Sequence, residues 1–142
     1  MKNMRILLDT NVLIDYLMKR EPYKCSAESI LNACISDELK GCIAAHSISN
    51  LFFILRKSFS VDERRDILGV LCRILTVAGI DEDMIIRALQ NTEFTDFEDC
   101  LQMECAREFE AEFIITRNLA DFQYSPIPAI SPDEFIGKYM QE

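Results

Sequence analysis

Carboxylates in this sequence stand where strands should end and helices begin. Asp9 follows the apolar run Ile6-Leu7-Leu8, and just beyond it Val12, Leu13, Tyr16 and Leu17 recur at helical spacing. So short an apolar run reads as a strand buried on both faces of a parallel sheet. Asp9 then falls at a strand's carboxyl end, the edge where open α/β sheets form a ligand crevice. Asp96, Glu98 and Asp99 open a later helical pattern, and Asp121 lies in the exit from another strand. A parallel sheet carries strand exits to one edge, so these acids are placed to converge. The chemistry that uses such a cluster is metal-assisted phosphodiester hydrolysis: Mg²⁺ and Mn²⁺ prefer oxygen ligands, and two or three carboxylates hold them while leaving water in the shell. Each acid also has a local explanation. Asp9 or Thr10 can cap a helix, Thr95-x-x-Glu98 fits a capping box, Asp96 and Asp99 suit a helix dipole, and Asp121 fits a turn.

The elements that would position these residues alternate between strand and helix. After Glu21-Pro22, residues 23–37 read as a helix with Ala27, Ile30, Leu31, Cys34 and Ile35 on one side, closed by Gly41. Residues 42–45 form a second apolar strand, with His46 and Ser47 as a polar opening to a helix carrying Ile48, Leu51, Phe52 and Leu55. A helix follows from Val61 to Leu75, then a strand over 76–80, a helix opened by Asp81, Glu82 and Asp83, and a long helix running to Phe109. Phe113-Ile114-Ile115-Thr116 is the strongest remaining strand, residues 117–122 are its exit loop, 127–130 fit an edge strand, and 133–139 a last short helix. Such alternation implies βαβ units and a mostly parallel sheet with helices on both faces.

Bulk properties narrow the function. The 142 residues, 49% hydrophobic, suit one domain with a real core. No apolar run reaches membrane-spanning length and the start lacks a signal-peptide pattern, so the expected setting is cytoplasmic, with no membrane partner. Cysteines 25, 34, 42, 72, 100 and 105 include no C-x-x-C pair and read as free thiols, largely buried. His46 is the only histidine, which excludes a histidine-rich zinc site and reads as a local hydrogen-bonding residue ahead of a helix. The formal charge of −9 excludes a protein that coats nucleic acid through a broad basic face. It is compatible with a nuclease, because a bound cation reverses the local sign that a phosphate meets. Arg56 and Lys57 with Arg64 and Arg65 offer a basic rim or an ordinary solvated surface, and Arg117 falls nearer the acids.

Three motifs carry a family resemblance: L-L-D-T-N-V-L-I-D at 7–15, F-x-D-F-E-D-C-L-Q-x-x-x-A at 94–106, and I-I-T-R-N-L-A-D-F at 114–122. Together, and with S-P-x-x-F at 131–135, they resemble the PIN domain, most closely its bacterial VapC-like ribonucleases, over essentially the whole chain. The resemblance implies an α/β/α sandwich around a twisted, mostly parallel sheet, as one domain over residues 1–142. It implies Mg²⁺- or Mn²⁺-dependent cleavage of RNA, often by the toxin of a toxin–antitoxin pair, with a cognate antitoxin and a homodimer as expected partners. Carried over, Asp9 is the first metal carboxylate, Asp99 the third and Asp121 the fourth. Asn11 and Thr116 match polar residues that orient them, and Asp96 is a further candidate ligand. One departure stands out: where the family usually has an acid after the second strand, Ser47-Ile48-Ser49-Asn50 offers neutral Asn50. An amide oxygen ligates a hard cation without adding charge, so metal affinity should fall unless Asp96 or Glu98 compensates.

Other readings fit less well. A haloacid-dehalogenase-like phosphatase needs D-x-D, and the second position here is Asn11; a receiver domain needs a partner acid beside Asp9 and a lysine after a late strand, where Thr116-Arg117-Asn118 has none. The main competitor is a PIN fold that has lost catalysis and serves as a binding module, for which Asn50 is the best support. The apolar stripes at 48–55 and 67–75 suit the core of the monomer and equally a homodimer face.

Overall fold

The computed structural model describes residues 3–140, organised around a five-stranded, wholly parallel sheet. Its strands are β1 (Met4–Leu8), β2 (Leu39–Ala44), β3 (Thr76–Ala78), β4 (Phe113–Ile115) and β5 (Ala129–Ile130), in the order β3-β2-β1-β4-β5. Side chains alternate across each strand, and both faces are buried. Ile6, Leu8, Ile43, Ile115 and Ile130 enter one core, whereas Leu7, Cys42, Ala44, Ala78 and Ile114 enter the other. Two buried faces explain why the strands read as unbroken apolar runs.

Helices cover both faces. α1 (Thr10–Leu17), α2 (Lys24–Ile35), α3 (Ala45–Ile54), α4 (Val61–Ile74) and the short α7 (Pro132–Phe135) bury Leu13, Ile30, Leu51, Leu71 and Phe135 on the first face. α5 (Glu82–Gln90) and α6 (Phe97–Glu108) bury Met84, Ala88, Met103 and Ala106 on the second. The result is the expected α/β/α sandwich. β1 pairs with β4 at Leu8↔Ile115 and β2 with β3 at Ala44↔Ala78. Asp9 and Thr116 thereby emerge side by side, and α3 starts from the same edge.

Four local expectations change. Gly41 does not close α2, which ends at Ile35; it lies inside β2, where a Cβ would come within 2.8 Å of Cys34 Sγ and Leu75 Cδ2. The absence of a side chain there lets α2 and the end of α4 pack against the strand. α3 begins at Ala45, so His46 and Ser47 belong to its first turn. The capping box at Thr95 is absent: α6 starts one residue later than that pattern requires, with Asp96 as its cap accepting from Asp99 N at 3.0 Å. This frees Glu98 for other partners. Finally, residues 136–140 leave the α-helical path as a π-type turn after α7.

Candidate metal centre

Asp9 is the most constrained acid at the sheet edge. It caps α1 with extended backbone, its side chain is turned inward, and only 5% of the residue is exposed. Four groups donate to it: Thr10 N at 2.7 Å and Gln102 Nε2 at 2.6 Å to Oδ1, Thr116 Oγ at 2.7 Å and Asn11 Nδ2 at 3.0 Å to Oδ2. Capping and site placement are therefore the same act. Burial raises its pKa above the ordinary aspartate value, the hydrogen bonds from Thr116, Gln102 and Thr10 oppose that rise, and the nearby Glu98 charge adds to it.

Thr116 is fully buried at the end of β4 and also accepts from Asn118 N at 3.0 Å. Asn11 Oδ1 accepts from Arg117 N at 3.4 Å. These bonds lock the β1 and β4 exits together and fix the Asp9 carboxylate's plane.

The tightest group of acids comes from a single segment. Oxygen atoms of Asp96, Glu98 and Asp99 lie within 4.8 Å of one another. An octahedral Mg²⁺ shell with bonds of about 2.0–2.1 Å spans about 4 Å between opposite oxygens. The spacing of the three carboxylates is close to what sharing one such ion requires. Asp9 and Asp121 flank the trio: burial first, then the charges of Asp96, Asp9, Glu98 and Asp121, push the Asp99 carboxyl up to about 8. Like charges held this closely make a site suited to a hard cation. Asp121 is exposed in a 3₁₀ turn over residues 119–122 that Phe122 anchors in the core.

Asn50 lines a cleft of about 330 Å³ with Thr10, Ser49, Phe53, Ile54 and Glu98. Ser47, fully buried, shares a 2.9 Å hydrogen bond with Thr10 Oγ1 and ties α3 to α1. The position that lacks a charge thus opens on the same cleft as Glu98.

Two residues of this site lay outside the sequence assignment. Gln102 is fully buried; its amide nitrogen bridges Asp9 and Glu98, reaching Glu98 Oε2 at 3.3 Å. It is four residues after Glu98, hence on the same helix face, and that spacing was the available signal. His46 is the other. It meets Glu98 Oε2 at 2.9 Å across 52 residues, so it is not a purely local hydrogen-bonding residue.

Arg117 has a different environment from the one expected of a phosphate ligand. Its Nε and Nη2 donate to Asp15 at 2.6 and 3.2 Å, and its guanidinium stacks 3.9 Å from the Tyr23 ring centroid. Asp15 is 1% exposed, so the pair neutralises a charge buried in α1. In the basic rim, Arg56 stacks on Phe53 and Arg64 on Phe52, Arg64 also donating to Phe52 O at 2.8 Å.

A parallel α/β sheet with carboxylates gathered at its carboxyl edge defines the class: an acidic, divalent-cation-type site on an α/β/α sandwich. Comparison with known proteins makes this specific. Residues 5–120 match the PIN domain family, and the chain belongs to that family. No curated protein matches the sequence. Among solved structures, the fold is shared with a chain of a toxin–antitoxin complex from Klebsiella pneumoniae, at 22% identity and TM-score 0.69 over 89% of this chain and 97% of that one. It is likewise shared with VapBC-1 from nontypeable Haemophilus influenzae, at 18% identity and TM-score 0.68 over 92% and 99%. DNA-bound VapBC from Salmonella typhimurium gives 20% identity and TM-score 0.69 over 91% and 98%.

Proposed function

We propose that this chain is a divalent-metal-dependent endoribonuclease, one domain over residues 1–142, acting as the toxin of a toxin–antitoxin pair in the cytoplasm. The observation that carries the reading is the Asp96, Glu98 and Asp99 cluster, with Asp9 and Asp121 near enough that their charges add to burial and to those of Asp96 and Glu98 in pushing the Asp99 carboxyl up to about 8. Asp9, Asp96, Asp99 and Asp121 would hold Mg²⁺ or Mn²⁺, with Glu98 of the same cluster adding its carboxylate beside the Asn50 amide, and Asn11 and Thr116 orienting Asp9. A cation bound there supplies Lewis-acid activation of water and neutralises charge at the scissile phosphate. Asp9, Asp99 and Asp121 are the catalytic carboxylates. Their task is to orient the attacking water and accept its proton. Arg117, paired with Asp15 but a quarter exposed, is the proposed contact for the RNA backbone through its exposed edge.

The partner assignments rest on the shared fold. The solved relatives include complexes described as toxin–antitoxin and VapBC assemblies, and a cognate antitoxin is proposed here on that basis. Phe53, Ile54, Val61 and Val70 stay exposed on α3 and α4 and supply an apolar face for a homodimer. Among the described residues no helix is long and apolar enough to cross a membrane. The non-catalytic reading draws on Asn50, and the presence of Glu98 in the same cleft weighs against it.

The deciding experiment is Mn²⁺ calorimetry on the wild type, Asp9→Asn and Asp99→Asn, followed by cleavage of mixed structured RNA. Binding and cleavage that vanish in both variants support the nuclease. Absence of binding by the wild type at millimolar Mn²⁺ leaves the binding module as the function.

A further inference from the structure

We infer that His46 is a positioning residue of the metal centre: it holds Glu98 as the carboxylate that replaces the charge missing at Asn50. The inference rests on the metal-centre reading above and adds to it a residue that the acidic motifs do not contain.

Geometry supplies the first argument. Glu98 Oε2 receives two donors, His46 Nε2 at 2.9 Å and Gln102 Nε2 at 3.3 Å, from two different helices. An ionised carboxylate only accepts, so Nε2 of His46 carries the proton in this contact. Among the described residues, no hydrogen bond engages Oε1. One oxygen is therefore anchored and the other is left for a cation, the usual division of labour for a carboxylate ligand with outer support.

The second argument is the cost the fold accepts. Among the described residues, His46 Nδ1 and Gln102 Oε1 are both buried and find no hydrogen-bond partner. Gln102 is fully buried, and turning its amide would bring Oε1 against Asp9 and Glu98, so the orientation that leaves Oε1 unpaired is the one their charges enforce. A histidine or glutamine kept only for packing would normally satisfy both of its polar ends. Here each satisfies the end that faces the acids.

The third is placement. His46 and Asn50 are four residues apart in α3, hence on one helix face. Asn50 and Glu98 line the same cleft. The α3 face that presents neutral Asn50 to the cleft also presents the His46 donor, which meets the Glu98 carboxylate of α6.

The test is Mn²⁺ calorimetry on wild type, His46→Ala, His46→Gln, Glu98→Gln and the His46→Ala/Glu98→Gln double variant, with thermal melts to confirm folding. Outer-shell support of this kind is worth about tenfold or more in metal affinity. His46→Ala should therefore weaken Mn²⁺ about tenfold, and Glu98→Gln at least as much. His46→Gln, whose amide can replace the Nε2 donor, should return to within about threefold of wild type on the same scale. In the Glu98→Gln background, His46→Ala should have no further effect. A folded His46→Ala protein with wild-type affinity, or losses that simply multiply in the double variant, would overturn the role of His46 while leaving the metal centre standing. A wild type that binds no Mn²⁺ would overturn both.

Discussion

At the scale of residues, Asp99 shows what the acidic cluster costs. Its carboxyl is pushed up to about 8, whereas an unfolded aspartate titrates near 3.8. Between those values the native state binds more protons than the unfolded state, so stability falls as pH rises through the window. Metal-free protein should melt at a lower temperature at about pH 8 than at about pH 5, and Asp99→Asn should flatten that dependence while raising the melting temperature at the alkaline end. Calorimetric scans of both proteins without metal check this; parallel pH profiles would remove the repulsion from the account. Because a divalent cation relieves the same repulsion, Mg²⁺ should raise the wild-type melting temperature most where Asp99 is ionised. The carboxylates themselves were legible in the sequence, since an acid directly after an apolar run marks a strand exit. The contacts of Gln102 with Asp9 and of His46 with Glu98 were not, because they span 93 and 52 residues and only the folded sheet edge makes them; the four-residue spacing of Gln102 from Glu98 was the one local signal.

At the scale of elements, the link between β4 and α1 matters more than a substrate role for Arg117 alone would suggest. The Asp15 carboxylate is buried inside α1, and the guanidinium that neutralises it comes from the loop after β4. Removing one member of such a pair strands the other's charge. Arg117→Ala should cost about 2–4 kcal/mol in urea unfolding, slightly under the fully buried range because the guanidinium is 25% exposed. Asp15→Asn in the same background should recover much of it. Assayed below its melting temperature, Arg117→Ala should lose more RNA cleavage than Mn²⁺ affinity; equal losses would remove the phosphate contact and leave the structural one. Apolar periodicity located nearly every helix and strand, because both sheet faces and one stripe of each helix are buried. Gly41 shows where that logic stops. Glycine after a helical pattern normally signals a helix end, yet here it answers to Cys34 and Leu75, contacts set by tertiary packing.

Across the whole molecule, an apolar sheet sandwich supports a crowded anionic edge, and the six cysteines sample these parts unequally. Cys34, Cys42, Cys100 and Cys105 are buried in the two helical layers and the sheet, whereas Cys25 and Cys72 are exposed. Burial pushes the Cys34 thiol up to about 12 and Cys105 up to about 11, so neither offers thiolate near neutrality. A thiol reagent should modify the two exposed cysteines at once and the other four only as the layers open. The slow phase is a clock for core opening that the chain carries without any added label. Read with and without Mg²⁺, it separates a cation that merely quiets the acidic edge from one that fastens the sandwich: the first leaves the clock's rate unchanged, the second slows it.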